Sequence, residues 1–288
     1  MFFKKKRKKE KKTTEKGTTR AIADITVING NKRNSSGILS YQVANLQMIG
    51  SRERQEDSFA LINSADVTKI LERGLFVVIC DGMGGMEDGK SISEAAVQGF
   101  VSNFNNLNLE AKDFISVQLT EACHSINSKI RESFGSAGGT TVALVLVYDA
   151  ELYWLAVGDS LIFLKRGGNL IRLNKEHIHL NDLYLKELSR ETIDKSSAES
   201  DAQKESLTEY IGKKEIKEID FNKKPMPLGM DDVIFICSDG VSSYIDESEI
   251  SRALDLPPKD ACAYLDAVIK AENHPAQDNY TCVMVSCL

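Results

Sequence analysis

The sequence lacks any long apolar segment. Nothing in its 288 residues approaches the roughly 20 consecutive apolar residues that a membrane-spanning helix needs. The first residues run directly into lysines and arginines with no apolar segment behind them, so we expect no signal peptide. No internal repeat is apparent either. These absences favour a cytoplasmic globular protein.

The cysteines are few, and none of the six belongs to a Cys-x-x-Cys pair. Zinc sites and disulfide frameworks usually show closely spaced cysteines, so neither is expected here. Several of the cysteines lie inside apolar segments. We interpret them as small buried apolar side chains in a reducing cytoplasm.

Charge is distributed unevenly along the chain. Residues 4–12 contain eight Lys or Arg and one Glu, although the whole chain has a net charge of -6. The remainder is therefore acidic, which argues against nucleic acid as a partner. The basic segment is typical of a solvated, disordered arm. A second interpretation is weak contact with an anionic membrane surface, at about 1 kcal/mol per basic residue.

Sustained hydrophobic patterning begins after residue 36. We predict a tail over residues 1–36, with one short strand over 21–28, and a single domain over 37–288. Short gaps separate the apolar strands between residues 142 and 173, which is typical of antiparallel neighbours. Residues 142–147 are apolar throughout, so both faces of their sheet must be covered. We therefore predict an α+β fold: a four-layer α-β-β-α sandwich of two antiparallel sheets flanked by helices, with a polar flap over about 175–221.

Two apolar strands end in the same way, in Asp81-Gly82 and in Asp239-Gly240. A single Asp-Gly is usually a turn, but two at the ends of buried strands suggest a shared edge. Further acids stand at other strand ends: Glu56, Asp57, Asp159 and Asp278. Converging carboxylates repel one another unless a cation neutralises them, and oxygen-only ligands favour Mg²⁺ or Mn²⁺. Two such ions can activate water for attack on phosphorus, with Arg52 as the fork for phosphate oxygens.

The order of these segments resembles that of the type 2C metal-dependent protein phosphatases. The matching motifs are Arg52-x-x-x-Glu56-Asp57, Asp81-Gly82-Met83-Gly84-Gly85, Gly139-Thr140-Thr141, Gly158-Asp159-Ser160, Ser238-Asp239-Gly240 and Asp278-Asn279-x-Thr281. The resemblance covers about residues 38–288. It implies the same α-β-β-α sandwich and a bacterial-like serine/threonine phosphatase.

The resemblance also implies roles for individual residues. Asp81 would bridge two metal ions, and Gly82 would add its backbone carbonyl. Glu56 would help to hold one ion, whereas Asp239 and Asp278 would hold the other. Asp57 would orient the attacking water, and Asp159 would match a third, looser metal site. These ligands remain expectations at this point.

The implied substrates are phosphoproteins, and a serine/threonine kinase would oppose the enzyme. We expect a monomer. Met83 stands where many eukaryotic members carry a histidine proposed as the general acid, and a thioether cannot donate that proton. Bacterial-type members often share this methionine, so activity is still expected.

Two other interpretations compete. Residues 84–91 match the P-loop pattern G-x-x-x-x-G-K-S, but Glu87 and Asp88 would place negative charge against the phosphates, and the β-rich middle does not fit a parallel sheet. Under the phosphatase interpretation, Lys90 is an exposed residue at a helix start. The third class is a phosphatase fold that binds phosphoproteins with weak catalysis, whose signature would be a lost metal ligand.

Overall fold

The computed structural model describes residues 23–34, 37–84, 88–189 and 195–288. Its strands are β1 (Ala23–Asn34), β2 (Gly37–Met48), β3 (Ser58–Ile62), β4 (Leu75–Cys80), β5 (Gly82–Gly84), β6 (Gly138–Thr140), β7 (Val142–Tyr148), β8 (Glu151–Val157), β9 (Leu161–Arg166), β10 (Asn169–Arg172), β11 (Asp220–Phe221), β12 (Met226–Pro227), β13 (Val233–Cys237) and β14 (Tyr280–Cys287). Its helices are α1 (Val67–Arg73), α2 (Asp88–Asn106), α3 (Ile115–Phe134), α4 (His179–Ser189), α5 (Lys195–Glu199), α6 (Asp239–Ser242), α7 (Glu247–Ala253) and α8 (Pro258–Glu272), with a 3-10 turn over Lys112–Phe114.

The strands form two large antiparallel sheets. Sheet A has the order β1-β2-β14-β13-β9-β10, and sheet B has the order β11-β8-β7-β4-β3, with β12 also paired to β8. A small ribbon of β5 and β6 lies at one edge of the fold. With helices packed outside both sheets, the predicted α-β-β-α sandwich is confirmed.

Three apolar layers hold the sandwich together. Strand β4 lies between two of them, and its sequence is therefore apolar throughout and does not alternate between apolar and polar residues. Val77 and Ile79 face the core between the sheets, whereas Phe76 and Val78 face the helices α2 and α3. Both faces of the strand are thus buried, so a continuous apolar run is required. The ring of Phe76 stacks on Phe104 of α2 at a centroid distance of 4.6 Å. Truncation of Phe76 to Ala would cost about 3–5 kcal/mol of stability.

The helix α3 buries one apolar face. Its buried residues include five that recur at helical spacing in the sequence: Ile115, Leu119, Ala122, Ile126 and Ile130. Residues 112–114 form a separate 3-10 turn before the helix. A third core layer covers the outer face of sheet A and contains residues of α7 and α8.

The largest difference from the prediction lies at the start of the chain. The sequence predicted a tail to residue 36 with one short strand, but β1 runs over Ala23–Asn34 and pairs antiparallel with β2. The physical reason is that backbone pairing to the free edge of β2 forms this strand, and such pairing leaves little trace in a polar sequence. Residues 1–22, including the basic segment, lie outside the described residues.

The segment 175–221 contains helices α4 and α5, as expected of a helical insertion, although residues 190–194 are outside the described ranges. One isolated bridge, Thr140 to Ile211, attaches it to the rest of the domain, and a second, Ile178 to Leu207, joins two parts of the segment itself. Its end becomes strand β11, which pairs with β8. Within the described parts of the chain, none of the helices combines the length and the apolar character needed to cross a membrane.

Candidate active site

A cavity of about 250 Å³ opens at one edge of the sandwich. Its walls contain every predicted metal-ligating residue and the predicted phosphate-binding arginine, together with Met83, Gly84, Thr141, Leu207 and Asn279; the predicted residues are Arg52, Glu56, Asp81, Gly82, Asp159, Asp239 and Asp278. Asp57 is not part of this lining but is fully buried beneath it. The structure therefore brings together residues that lie far apart in the sequence.

The two sheets contribute the acids jointly. Asp81 follows β4 of sheet B, and Asp239 follows β13 of sheet A. Asp159 lies in the turn between β8 and β9, and Asp278 lies two residues before the start of β14. Because strand ends are rigid and the loops after them are short, these side chains have little freedom to separate.

The backbone of Asp81 is fixed by the threonines of the Gly139-Thr140-Thr141 motif. Thr140 donates its hydroxyl to the carbonyl oxygen of Asp81 at 2.7 Å, and the same oxygen accepts from the Thr141 amide at 2.9 Å. The Asp81 amide donates to Thr141 Oγ1 at 3.0 Å. Thr141 also contacts Ser160 beside Asp159, with 2.7 Å between the two hydroxyl oxygens. The motif therefore positions the Asp81 side chain by holding the backbone of this residue in place.

Glu56 is held by Asn279. The Glu56 amide donates to Asn279 Oδ1 at 2.7 Å, and Asn279 Nδ2 donates to the carbonyl oxygens of Ile49 and Arg54 at 2.8 and 2.9 Å. This one side chain joins the loop before β3 to the start of β14. Gly89 packs against the Glu56 carboxylate, since a Cβ there would lie 2.9 Å from Oε1.

Asp57 is held by two hydroxyl groups. Thr281 Oγ1 donates to Asp57 Oδ2 at 2.6 Å, and Ser238 Oγ donates to the same oxygen at 2.9 Å. The other carboxylate oxygen, Oδ1, is buried and has no hydrogen-bond partner among the described residues. Burial raises the pKa of Asp57 to about 7, despite these two hydrogen bonds.

Asp81 and Asp239 are close enough for each carboxyl group to affect the pKa of the other. Neighbouring carboxylates of this kind do not readily ionise together. Burial and the neighbouring acids raise the pKa of Asp81 well above its usual range. Burial, with Asp239 nearby, raises the pKa of Asp159 to about 8. A cation bound among these acids would neutralise their negative charge.

The loop that carries Asp159 is anchored by a histidine that sequence reasoning did not assign to the site. His177 Nδ1 accepts from the Gly158 amide at 3.1 Å, and the His177 amide donates to the Gly158 carbonyl at 2.9 Å. Burial lowers the pKa of His177, so the ring is neutral. The proton that remains on its Nε2 has no acceptor among the described residues.

The donor set fits Mg²⁺ or Mn²⁺. The lining contains carboxylate and carbonyl oxygens without a histidine or cysteine, which is the chemistry of hard cations. The buried oxygens Asp57 Oδ1 and Asp239 Oδ1 have no partner in the described chain. The described His, Cys, Asp and Glu side chains do not form a finished cage of three or more metal ligands. Instead, Asp278 accepts a hydrogen bond from Arg52.

Lys90 has a different environment from the predicted one. Its ammonium group is half-buried and donates to the Asp57 carbonyl oxygen and to Ser58 Oγ, both at 3.1 Å. It also forms an ion pair with Glu94 at 3.3 Å. Ser93, one turn further along α2, contacts the Glu56 carbonyl oxygen at 2.5 Å. The expectation of a merely exposed helix-start residue is wrong, because the first turn of α2 packs against the segment that carries Glu56 and Asp57.

The thiols nearest the acids are buried in the strands. Cys80 and Cys237 are fully buried and free, as are the other four cysteines, which confirms the interpretation of these residues as apolar core. Burial raises the pKa of both thiols. Met83 is partly exposed in the cavity wall and offers no proton.

Fold and site together define a class. A sandwich of two antiparallel sheets with helices outside, and with an oxygen-lined acidic cavity at the edge where both sheets end, is the arrangement expected of a metal-dependent phosphatase. The comparison with protein families agrees: residues 49–279 match the family model described as "Protein phosphatase 2C". The chain belongs to this family.

Individual relatives and solved structures agree with this assignment. The chain is similar to the protein phosphatase PhpP of Streptococcus pneumoniae serotype 2, with 28% identity over 73% of this chain and 85% of the relative. Among solved structures, the S. agalactiae serine/threonine phosphatase superposes with a TM-score of 0.72 at 24% identity, covering 85% of this chain and 99% of that one. The catalytic domain of the phosphatase PstP, solved with two manganese ions, superposes with a TM-score of 0.64 at 20% identity, over 87% and 99%. At these identities the two structures bear on the fold alone.

Proposed function

We propose that this chain hydrolyses phosphoserine and phosphothreonine on protein substrates in a reaction that depends on Mg²⁺ or Mn²⁺. The observation that carries the proposal is the convergence of five acids and Arg52 on one cavity, with Arg52 and Asp278 in contact across 226 residues. Membership of the protein phosphatase 2C family supports it.

The cavity residues divide into two groups by what they would hold. Two cations would be held by Glu56, Asp81, Asp239, Asp278 and the carbonyl oxygen of Gly82, and Asp159 would hold a looser third. Bound cations neutralise the acids and the phosphate and lower the pKa of an attacking water. The protein itself supplies the positions of these oxygens, which the hydrogen bonds to Asp81 and Glu56 keep in place.

Arg52 and Asp57 would act on the reacting groups. Arg52 is exposed at the mouth of the cavity and presents a planar fork that suits two phosphate oxygens. Asp57 Oδ1 is the free carboxylate oxygen beneath the cavity and would accept a proton from the attacking water. In the reaction, a bond forms from the water oxygen to phosphorus, the bond from phosphorus to the serine or threonine oxygen breaks, and the leaving oxygen takes up a proton from solvent water.

The alternatives have less support. A P-loop lysine must reach phosphates, but Lys90 donates to the Asp57 carbonyl and to Ser58, and the two large sheets are antiparallel. A binding protein without catalysis would be expected to have lost a metal ligand, and all the matched ligands are present. Residues 85–87 of the P-loop pattern lie outside the described residues.

The cellular context is part of the same proposal. A serine/threonine kinase would supply the phosphoproteins, and the enzyme would act as a cytoplasmic monomer without a nucleic-acid partner. The acidic body and the six unpaired thiols support this setting. The basic residues 4–12 remain the place where a membrane surface could make weak contact.

One assay separates the three functional classes. The full chain is incubated with a phosphothreonine peptide, with ATP, and with neither, in Mn²⁺ or in EDTA, and released phosphate is measured. The phosphatase proposal predicts that phosphate is released from the peptide in Mn²⁺ but not in EDTA. Release from ATP would favour the NTPase, and peptide binding without release would favour the binding module.

A further inference from the structure

The two hydroxyl groups on Asp57 form a contact between the two sheets of the sandwich. Asp57 directly precedes β3, whose Ser58 pairs with Cys80 in sheet B. Ser238 follows β13, and Thr281 lies in β14, both in sheet A. The hydrogen bonds to Asp57 therefore cross from one sheet to the other directly beneath the acidic cavity.

The hydrogen-bond donors and acceptors around Asp57 determine where the two hydroxyl protons point. Ser238 Oγ accepts from the Thr281 amide at 3.0 Å, so its own proton is directed toward Asp57 Oδ2 at 2.9 Å. Its other acceptor, the Thr281 carbonyl oxygen, is farther away at 3.5 Å. Thr281 Oγ1 donates to the same Oδ2 at 2.6 Å. Both hydroxyl protons thus go to one carboxylate oxygen.

The other oxygen of Asp57 is then the free one. Oδ1 has no hydrogen-bond partner in the described chain, although Asp57 itself is fully buried. Since Oδ2 already accepts two hydrogen bonds, Oδ1 is the oxygen of Asp57 left free to accept another. A buried carboxylate without these donors could rotate and present either oxygen. The pair of hydroxyls removes that freedom.

We infer that Ser238 and Thr281 are positioning residues that fix the orientation of the Asp57 carboxylate, with Thr281 forming the shorter of the two bonds. The inference rests on the proposed phosphatase function and extends it to residues that would touch neither substrate nor cation. Their contribution is orientation: they fix which oxygen of Asp57 is left free to accept a hydrogen bond. The shorter bond makes Thr281 the more informative site for substitution.

The test compares two substitutions of Thr281, one that removes its hydroxyl group and one that keeps it. Thr281→Val keeps the branched shape and removes the donor, whereas Thr281→Ser keeps the donor. Ser116→Ala is the matched control, because Ser116 is also buried and donates its hydroxyl at 2.7 Å to the Asn222 carbonyl, away from the cavity. Each variant is assayed for kcat and KM on a phosphothreonine peptide at saturating Mn²⁺, for melting temperature, and for Mn²⁺ affinity by calorimetry.

The inference predicts that Thr281→Val lowers kcat about 10- to 100-fold, as loss of an orienting partner typically does, with KM and Mn²⁺ affinity changed less than about threefold. Thr281→Ser should recover kcat to within about threefold of the wild type. Ser116→Ala should lower the melting temperature and leave kcat unchanged.

Three outcomes would overturn the inference. Wild-type kcat in Thr281→Val would do so, as would a loss of kcat that excess Mn²⁺ restores, since the hydroxyl would then serve the metal site. Failure of Thr281→Ser to recover activity would also contradict it. If Thr281→Val does not fold, Ser238→Ala decides by the same criteria. An inactive wild type would instead contradict the proposed phosphatase function.

Discussion

Arg52 Nη2 donates a 2.6 Å hydrogen bond to Asp278 Oδ2 at the mouth of the acidic cavity. Both side chains are well exposed, at 55% and 36% of their surface. An exposed ion pair of this kind contributes only about 0–1 kcal/mol. Arg52 can therefore exchange Asp278 for a phosphate group at little cost, and Asp278 becomes free to hold a cation.

The first prediction follows from this exchange. Arg52→Ala should raise KM for a phosphopeptide about tenfold or more and change kcat less, because a bidentate phosphate contact is lost. Arg52→Lys should recover little, since an ammonium group lacks the planar fork. Arg252→Ala is the control, as it removes a surface arginine that pairs with Glu249 away from the cavity. KM is measured by steady-state kinetics. An unchanged KM in Arg52→Ala would show that Arg52 does not bind the substrate phosphate.

The second prediction concerns the contact between Lys90 and the Asp57 backbone. Lys90→Met should lower kcat about tenfold, because the segment that carries Glu56 and Asp57 loses its fastening to α2. Lys69→Met, which removes a lysine paired with Asp66 on the exposed helix α1, should have no effect on kcat. Equal kinetics in the two variants would show that the Lys90 contact has no role in the reaction.

The third prediction concerns the pH dependence of stability without metal. Asp57 and Asp159 have folded-state pKa values of about 7 and about 8, raised from 3.8. Between pH 3.8 and these raised values, the folded chain holds protons that the unfolded chain has lost. The stability of the fold therefore decreases as the pH rises through this range and increases as the pH falls. In EDTA, lowering the pH from 8 to 6 should therefore raise the melting temperature.

The control for this pH effect is the same scan on Asp159→Asn. Asparagine cannot bind a proton in this range, so the variant should show a smaller dependence on pH. Mn²⁺ should also reduce the dependence, because a cation then neutralises the acids in place of protons. A melting temperature that stays flat or falls from pH 8 to pH 6 in EDTA would contradict the raised pKa values.

Much of the sandwich could be predicted from local pattern alone. The strands Ser58–Ile62, Leu75–Cys80 and Val142–Tyr148 are each an apolar segment between clear turn residues, which is a local signal for a buried strand. The extension of strand β1 beyond residue 28 and the ribbon of β5 and β6 could not be predicted in this way. They are held by pairing to neighbours, and their polar or glycine-rich sequences carry no period that reports such pairing.

The acids of the site were also predictable, because each stands at the end of an apolar strand. Their partners were not: Asp57 meets Ser238 and Thr281 across 181 and 224 residues, and no local spacing reports these contacts. The signal available was chemical, since Ser238 and Thr281 are small hydroxyl residues next to Asp239 and near Asp278. A buried carboxylate needs such donors, but the sequence does not show which acid will be buried.

The fourth prediction concerns the nucleophile. Cys80→Ser and Cys237→Ser should each retain kcat within about twofold, with a loss of about 1–3 kcal/mol in stability from a buried hydroxyl. Both thiols are fully buried, and burial raises the pKa of each, so neither is a ready nucleophile. Denaturant quenching during turnover of a radiolabelled phosphoprotein should trap no phosphorylated enzyme. A trapped phosphoryl group on any side chain would contradict direct attack by water.

The central claim is that Asp81 and Asp239 anchor a metal-dependent phosphatase centre, and one titration tests it most directly. Phosphate release from a phosphothreonine peptide is measured against Mn²⁺ concentration for the wild type and for Asp239→Asn, with circular dichroism to confirm that both are folded. We predict that wild-type activity rises with Mn²⁺, disappears in EDTA and returns when Mn²⁺ is restored, whereas the folded Asp239→Asn variant releases no phosphate at any concentration tested. Wild-type activity that persists in EDTA, or full activity in Asp239→Asn, would contradict the account.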